Sequence, residues 1–240
     1  MIEKVVLTPA TSVLEIGCGD GFLTSAILNQ SSCARLQVYE IDPEWAAHVQ
    51  KKITDPRLTI TLANILDVDL TAALGQHTPW VMLANLPYHI TFPILFLVQA
   101  HKELFQEGVV MVQEEVAQKI VASHGKGYSP TSMFLQHHFE WKLMEKIEPT
   151  AFVPPPKVSS RLLYFKPRTD AATIPDESAF WKFLKLCFRS PRQTLRNNLK
   201  STHYITHTAF NTEILDLRAQ QFSFAQFLEL WEQIRAQRPQ

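Results

Sequence analysis

The sequence is poor in cysteine, with three in 240 residues. Cys18, Cys33 and Cys187 are too few and too scattered for a disulfide framework or a zinc site, so we expect neither and predict no metal. Long apolar runs are also lacking. No stretch reaches the ~18 residues of a membrane span, and the first residues, MIEKVVLTPATS, carry no signal-peptide pattern. These absences predict a cytoplasmic protein without a membrane partner.

An excess of charge of either sign is missing as well, because 23 Lys and Arg balance 23 Asp and Glu. Net charge therefore says nothing for or against a nucleic-acid partner. The length allows one large domain, or one of about 150 residues with a small partner. There is no internal repeat and no low-complexity tract. Nothing indicates an obligate oligomer, and we expect a monomer.

Strand-like and helix-like segments alternate through the first two-thirds of the chain. Helical pattern at residues 24–29 and 44–53 separates short β-rich runs. This alternation predicts an α/β fold with a mostly parallel sheet and helices on both faces. The last two runs are close together in sequence and are expected to form an antiparallel hairpin at one edge. The predicted strands are 13–16, 37–41, 58–62, 81–84, 109–113, 139–146 and 161–165.

The pattern changes near residues 166–174, where polar residues and a proline form a plausible linker and only helical segments follow. We predict one domain at residues 1–168 and a small helical domain at residues 169–240. Within the second domain, SPRQTLRNNL predicts a helix with Ser190 as its N-cap and Pro191 at its first position.

A second capping signal occurs in SFAQFLELWEQI. Ser223 and Gln226 have the spacing of a capping box. The helix that they open would carry one apolar face. That face consists of Phe227, Leu230, Trp231 and Ile234.

A glycine-rich turn follows the first predicted strand in VLEIGCGDGFLT. Gly17, Gly19 and Gly21 permit a tight turn and a close ligand approach, although a lone match of this kind is a weak signal. Glu40 ends the next strand 23 positions after Gly17, where a carboxylate can accept hydrogen bonds from both ribose hydroxyls. The combination with Glu15 resembles the S-adenosylmethionine (SAM) methyltransferase pattern. A dinucleotide site and an ordinary strand-helix turn remain alternatives.

The third strand is followed by LANIL. In SAM methyltransferases this position accepts a hydrogen bond from the adenine amino group, and many relatives have Asp there. Here it is Asn64, whose side-chain carbonyl can still accept. Asp42 and Pro43 are expected to open the helix after the second strand.

The stretch ANLPYHI ends the fourth predicted strand with residues that strands disfavour. Asn85 and the Leu86 carbonyl can accept hydrogen bonds from an amino group, Pro87 stiffens the backbone, and Tyr88 can stack on a base. A sulfonium methyl is already activated, so positioning and electrostatics would carry most of the rate. The alternative is a proline-punctuated strand end with a packing tyrosine. DNA adenine and protein glutamine methyltransferases use similar motifs, so the substrate stays open here.

Two later segments bear on the substrate. In PTAFVPPPKVSS, Phe152 is either a second stacking face for a flipped-out base or a core residue beside the prolines. KFLKLCFRSPRQTLRNNLK has no acidic residue between Ser178 and Thr212. We interpret its cations as a phosphate-contacting surface on two consecutive helices, with a solvated helix face as the alternative. These cations are Lys182, Lys185, Arg189, Arg192, Arg196 and Lys200.

Together these segments resemble the rRNA adenine-N6 dimethyltransferase family of the KsgA/RsmA type. NLPYHI and CFRSPRQTLRNNL are the specific matches, and the second argues against the related macrolide-resistance methyltransferases. VLEIGCGDGFLT, VVMVQEEVAQKIVA and FVPPPKVSS extend the resemblance over most of the chain. It implies a Rossmann-like methyltransferase domain with a helical C-terminal domain. It also implies SAM-dependent dimethylation of two adjacent adenosines near the 3′ end of 16S rRNA, coupled to small-subunit biogenesis.

The resemblance also implies roles for single residues. The catalytic set is Asn85, Leu86, Pro87, Tyr88 and Phe152. The cofactor set is Glu15, Gly17, Gly19, Glu40, Ile41, Asn64, Ile65 and Asn85.

Three departures from the family pattern are visible. Family members usually begin with a stretch containing Q-[NH]-F-L, whereas this sequence begins near the first family helix, at residues 2–6. Asn64 replaces the usual acid. The late R-R-K of the family is S-P-R-Q here, which removes positive charge.

The functional alternative to the enzyme is a catalytically weak or inactive ribosome-assembly factor that retains the fold and binds RNA. DNA adenine methylation would need a sizeable target-recognition domain, and the short helical tail offers none. A glutamine methyltransferase would show N-P-P-Y and no basic stripe.

Overall fold

The computed structural model describes residues 1–202, 204 and 212–237. Seven strands form one sheet in the order β3-β2-β1-β4-β5-β7-β6. The first five run parallel to one another, and β7 is antiparallel to both β5 and β6. This confirms the predicted mostly parallel sheet with an antiparallel end. The strands are β1 Ser12–Ile16, β2 Arg35–Glu40, β3 Leu58–Leu62, β4 Trp80–Asn85, β5 Phe105–Gln113, β6 Phe139–Ile147 and β7 Ser160–Pro167.

Helices connect the parallel strands and make up the C-terminal part of the chain. Asp42 caps α2 as predicted, since its Oδ1 accepts from the Glu44 amide at 2.8 Å, and Pro43 is the first helical residue. The described helices are α1 Phe22–Gln30, α2 Pro43–Lys52, α3 Leu70–Leu74, α4 Thr91–Ala100, α5 Glu114–Val121, α6 Pro130–His138, α7 Glu177–Cys187, α8 Leu195–Leu199, α9 Thr212–Leu215 and α10 Phe224–Ala236. Within the described residues, no helix combines the length and the apolar character needed to cross a bilayer.

The strand order places a topological switch point between β1 and β4. The chain winds outward from β1 to β3 on one side and from β4 to β5 on the other. Ligands of open α/β sheets bind outside the carboxyl ends of the strands at such a point. All five residues of β1 are buried, as expected for a strand covered on both faces. The sheet thus provides a rigid support for the residues that lie at its carboxyl edge.

The chain forms two compact units. The sheet unit comprises Met1–Gln118 and His138–Thr169, and the helical unit comprises Lys119–His137 and Asp170–Gln240. The predicted boundary at residues 168 and 169 had placed residues 119–137 in the first domain. They belong to the helical unit because Tyr128 and Met133 are buried in its apolar core.

The helical unit has a core rich in aromatic side chains, including fully buried Phe180, Phe227 and Trp231. The predicted capping box of α10 is confirmed. The Ser223 hydroxyl accepts from the Gln226 amide at 3.2 Å, and the Gln226 side chain accepts from the Ser223 amide at 2.8 Å. The predicted apolar face of α10 is likewise buried.

The predicted N-cap at Ser190 is wrong, because α8 begins at Leu195 and its N-cap is Thr194. The buried Asn198 side chain explains the difference. Its Oδ1 accepts from the Ser190 amide at 3.0 Å, and its Nδ2 donates to the carbonyls of Cys187 and Ser190 at 2.8 and 3.1 Å. These bonds satisfy the backbone of the segment as a turn, so a helical start at Pro191 is not needed.

Candidate active site

A cleft of about 750 Å³ opens at the carboxyl edge of the sheet unit, where β1 and β4 end side by side. Its walls come from the turn after β1, the start of α1, the end of β4 and the loop before β7. Five of the predicted site residues line it. They are Glu15, Gly17, Gly19, Asn85 and Phe152.

The glycine turn is shaped to leave space for a ligand. Gly17 and Gly19 have φ angles of +75° and +50°, in the left-handed region that favours glycine. A Cβ placed on either residue would meet no atom within 4 Å. The space over this backbone is therefore open, and glycine is needed at these positions for the backbone conformation and for close approach.

Glu40 connects the glycine turn to the end of β2. Its Oε1 accepts from the amides of Ile41 and Asp42 at 2.9 and 3.0 Å, and its Oε2 accepts from the Gly19 amide at 3.3 Å. The side chain is only 6% exposed. Glu40 does not line the cleft, but its carboxylate is fixed beside a residue that does.

Glu15 is a buried acid at the base of the cleft. Its Oε2 accepts from the Thr24 hydroxyl at 2.8 Å, whereas its Oε1 is buried and has no partner among the described residues. Burial raises the pKa of Glu15 to about 8, with a smaller contribution from Glu40, against the opposing effect of the Thr24 hydrogen bond. The carboxyl group is therefore largely protonated at neutral pH and can donate as well as accept. Sequence patterns did not predict the role of Thr24.

Three further predicted cofactor residues, like Glu40, lie outside the lining of the cleft, at the ends of β2 and β3. Ile41 is 66% exposed, and Ile65 is buried. Asn64 caps the short 3-10 helix Ile65–Asp67: its Oδ1 accepts from the Leu66 amide at 3.2 Å, and its Nδ2 donates to Asp67 Oδ2 at 2.9 Å. A carbonyl oxygen has two lone pairs, so Asn64 retains capacity for one more hydrogen bond.

Asn85 is the last residue of β4, and its exposed side chain lines the cleft. The Leu86 amide donates to the Met111 carbonyl at 3.0 Å, which fixes the peptide after Asn85 against β5. The Pro87 carbonyl accepts from the Ile90 amide and the Thr91 hydroxyl, both at 3.2 Å. The chain thus leaves the sheet in a tightly bonded turn. Leu86, Pro87 and Tyr88 do not themselves line the cleft.

Phe152 reaches the cleft because of the antiparallel end of the sheet. β6 runs antiparallel to β7, and β7 runs antiparallel to β5, so the loop between β6 and β7 returns to the carboxyl edge of the parallel strands. That loop carries Phe152 into the lining. The sheet topology therefore explains why this loop and the turn after β4 lie at the same edge of the sheet.

Several lining residues were not predicted from the sequence. Phe22 is the first residue of α1 and is 78% exposed, and Met111 lies opposite Asn85 in the pairing of β4 with β5. Met1, Ile2 and Glu3 also contribute to the lining. The sheet register could have identified Met111, but nothing in the local pattern distinguishes Phe22 from an ordinary helix start.

The predicted basic surface lies in the helical unit, on α7, the following turn and α8. Arg196 forms an ion pair with Asp216 at 2.9 Å, and Arg189 donates to the Asn198 carbonyl at 3.2 Å. Asp216 lies beyond the acid-free segment between Ser178 and Thr212, so the sequence of that segment alone did not predict this ion pair. Among the described residues, the other four cations form no hydrogen bond or ion pair, and all four are exposed. They are Lys182, Lys185, Arg192 and Lys200.

Comparisons with known proteins extend over nearly the whole chain. A family profile described as ribosomal RNA adenine dimethylase matches residues 1–235. Curated relatives include a ribosomal RNA small subunit methyltransferase A from Chlorobium phaeobacteroides, 33% identical over 98% of this chain and 85% of the relative. Another protein of that name, from Syntrophotalea carbinolica, is 38% identical over 80% of this chain and 72% of its own length.

Solved structures match the fold. A dimethyladenosine transferase from Plasmodium falciparum has a TM-score of 0.78 and 22% identity, with 96% of this chain and 92% of that chain covered. The 23S rRNA methyltransferase ErmE has a TM-score of 0.69 and 22% identity, with 98% and 95% covered. The fold is that of the class I SAM methyltransferases, as the sequence predicted.

Proposed function

The chain belongs to the ribosomal RNA adenine dimethylase family and is a SAM-dependent rRNA adenine dimethyltransferase, and from this premise we propose that it dimethylates two adjacent adenosines near the 3′ end of 16S rRNA. The names of the curated relatives support a small-subunit substrate. The observation that carries the proposal is a single cleft lined by the glycine turn, Asn85 and Phe152. We further propose that the protein acts as a monomer in the cytoplasm, where this RNA is assembled into subunits.

The residues after β1, β2 and β3 fit the adenosine and amino-acid parts of SAM. The open backbone at Gly17 and Gly19 admits close approach, and the unpartnered Glu15 Oε1 offers a hydrogen-bonding group at the base of the cleft. Glu40 would accept from the ribose hydroxyls, and the exposed Ile41 would cover one face of the adenine. Bound SAM supplies an electrophilic methyl group on a sulfonium. Asn64 and Ile65 would contact the edge of the adenine and complete the cofactor site.

Asn85 and its neighbours would hold the target adenine. The amino group of adenine is a weak nucleophile because its lone pair is delocalised into the ring. The Asn85 side-chain carbonyl and the Leu86 main-chain carbonyl would accept its two N–H groups and draw the nitrogen towards tetrahedral geometry. The hydrogen bonds that fix this turn keep the acceptors in place before the substrate arrives, which lowers the cost of orientation.

Two aromatic rings would hold the base in plane. A base must leave its stack to enter such a site, and enzymes that flip bases bind them between aromatic or apolar side chains. Tyr88 follows β4 and Phe152 precedes β7, and these two strands flank β5 in the sheet, so both residues lie at the same sheet edge. Pro87 would keep the Tyr88 backbone rigid.

The cations of the helical unit would contact rRNA phosphates. Lys182, Lys185, Arg192 and Lys200 are exposed and form no ion pair among the described residues. Arg189 and Arg196 also belong to this surface, although each has a protein partner. Phosphate contacts position a protein on its RNA without reading sequence. Selection of the two adenosines would then rest on RNA shape and on the cleft.

The alternative, an inactive assembly factor that retains the fold, is not favoured by the family match or by the relatives. An inactive protein would not need the acceptors at Asn85 and Leu86. Both functions predict binding to the small subunit, so binding alone does not separate them.

The deciding experiment is methyl transfer from labelled SAM to undermethylated 30S subunits. Nuclease digestion and mass spectrometry would identify the product. We expect N6,N6-dimethyladenosine in the 3′-terminal fragment of 16S rRNA. SAM binding without methyl transfer, or label at a different nucleotide, would contradict the proposal.

A further inference from the structure

Tyr88 is held by a side chain that comes from a distant part of the sequence. Its Oη lies 2.6 Å from Ser160 Oγ, and either hydroxyl can be the donor. Ser160 is the first residue of β7 and is completely buried. A buried hydroxyl is normally satisfied, and this one is satisfied by the tyrosine of the NLPY turn.

The sheet topology explains why these two residues meet. β7 runs antiparallel to β5, and Ser160 pairs with Gln113 at the end of β5. The start of β7 is therefore at the same edge as the carboxyl end of β4 and the turn that carries Tyr88. An all-parallel sheet would place the start of this strand at the opposite edge.

The Ser160 segment is itself rigidly anchored. Arg161 donates to both carboxylate oxygens of Glu114, at 2.6 and 2.9 Å, and to the Met144 carbonyl at 2.8 Å. The Glu114 amide donates to the Ser159 carbonyl at 2.9 Å. Two-point Arg–carboxylate contacts fix geometry as well as distance. A hydroxyl on this segment is thus a fixed point for the tyrosine.

We propose that Ser160 is a positioning residue for methyl transfer, which acts by restraining the Tyr88 ring. This rests on the proposed function, in which that ring stacks on the target adenine. The phenol oxygen lies on the axis of ring rotation, so the hydrogen bond restrains the swing of the ring about χ1 and leaves its rotation to packing. The same hydrogen bond engages the phenol oxygen, so the contribution of Tyr88 to the reaction is its ring face.

The test is a double-mutant cycle with Ser160→Ala and Tyr88→Phe. Each variant removes one side of the same hydrogen bond, and Phe keeps the stacking ring. We expect each single variant to lower kcat for 30S methylation by about tenfold, with KM for SAM unchanged, because misplaced reacting groups lose orientation. The double variant should lose no more than either single variant. Ser12→Ala, a buried serine at the amino end of β1, is the matched control.

A spectroscopic measurement tests the contact without relying on turnover. The chain has five tyrosines, so ¹³Cζ-tyrosine labelling gives a resolvable spectrum in which Tyr88→Phe assigns one peak. Ser160→Ala should shift that peak, and Ser12→Ala should not. An unshifted peak, an active Ser160→Ala variant with wild-type kcat, or losses that multiply in the double variant would each overturn the positioning role. Wild-type protein that transfers no methyl group would instead overturn the proposed function, and this inference with it.

Discussion

The sheet unit and the helical unit carry their candidate functional residues in different ways. In the sheet unit, Glu15 and Glu40 are buried and hydrogen-bonded to neighbouring elements, and Asn85 is fixed by its place at the end of β4. In the helical unit the core is rich in aromatic side chains, and the cations lie on α7, in the turn that follows and on α8. One unit provides positions that backbone geometry determines, and the other provides a charged surface.

This difference teaches how each unit should respond to mutation. Chemistry depends on orientation within fractions of an ångström, so a single substitution at the carboxyl edge is expected to have a large effect. Phosphate contacts at an exposed surface share the binding free energy among many groups, so single substitutions should have small and salt-dependent effects. The predictions below test that contrast.

The largest effect is expected for Asn85→Ala. Loss of an acceptor for the target amino group should lower kcat by about 10³-fold, as removal of one preorganised hydrogen-bonding group does in other enzymes. RNA affinity should stay within about twofold of wild type, because exposed phosphate contacts supply most of it. Single-turnover methylation and filter binding measure the two quantities.

Asn29→Ala, an exposed asparagine in α1, is the matched control and should leave both quantities unchanged. Parallel loss of RNA binding and methyl transfer in Asn85→Ala would show that Asn85 has a structural role and would remove the contrast between the units.

The second prediction addresses the stability of the helical unit. Trp231 is completely buried, and its Nε1 donates to the Pro175 carbonyl at 2.8 Å. Trp231→Ala should lower the free energy of unfolding by about 4 kcal/mol, through lost burial and the cavity that remains. Urea unfolding followed by circular dichroism measures this loss.

Trp45→Ala is the control, because Trp45 is 44% exposed on α2 and should cost less than about 1 kcal/mol. Equal losses for the two tryptophans would argue that the aromatic cluster does not form the core of the helical unit.

Sequence patterns predicted those features that depend on local physics. The capping box at Ser223 and the strand that precedes Asn85 required only spacing and side-chain type. Ser190 shows the limit, because its N-cap signal was overridden by the side chain of Asn198, eight residues further along. The N-cap signal depends only on the residues next to Ser190, so it does not show that a buried amide eight positions later satisfies the backbone as a turn.

Other features depend on long-range pairing. The contact of Ser160 with Tyr88 joins residues 72 positions apart and follows from the insertion of β7 between β5 and β6. The prediction of an antiparallel hairpin was correct, but it did not specify which of the two strands, β6 or β7, pairs with β5. Residues 119–137 belong to the helical unit for a similar reason, since only their tertiary neighbours distinguish them from a helix of the sheet unit.

The third prediction concerns pH and Glu15. Its folded-state pKa is raised to about 8, so the folded state binds more protons than the unfolded state between the ordinary glutamate pKa and that value. Stability should therefore fall as pH rises through this window, at about 1 kcal/mol per pH unit for one group. Glu15→Gln stays neutral throughout, so its stability relative to wild type should rise with pH. Urea unfolding at several pH values without SAM measures the trend; a constant difference would contradict the buried, protonated carboxyl.

The smallest effects are expected at the basic surface. Their relative sizes should show which cations contribute most to RNA binding. Arg192 is exposed without a partner among the described residues, whereas Arg196 is engaged by Asp216. Arg192→Ala should weaken RNA binding about threefold, comparable to one exposed ion pair, and lower the magnitude of the slope of log K against log salt by about 0.8. Arg196→Ala should change both less, because binding must compete with an existing ion pair.

Asp216→Asn sharpens the comparison of the two arginines. Removal of the acid breaks its ion pair with Arg196, so RNA affinity should rise by about twofold and the salt slope should steepen. Lys51→Ala, an exposed cation on α2 of the sheet unit, is the matched control and should leave affinity and slope unchanged. If Lys51→Ala weakens RNA binding as much as Arg192→Ala, the RNA-binding surface extends over both units. The assignment of catalysis to the sheet unit and of RNA contact to the helical unit would then be wrong. If only the variants in the helical unit change the slope of log K against log salt, phosphate contact belongs to the helical unit. Catalysis then belongs to the sheet unit, because its residues affect methyl transfer without changing the salt dependence of RNA binding.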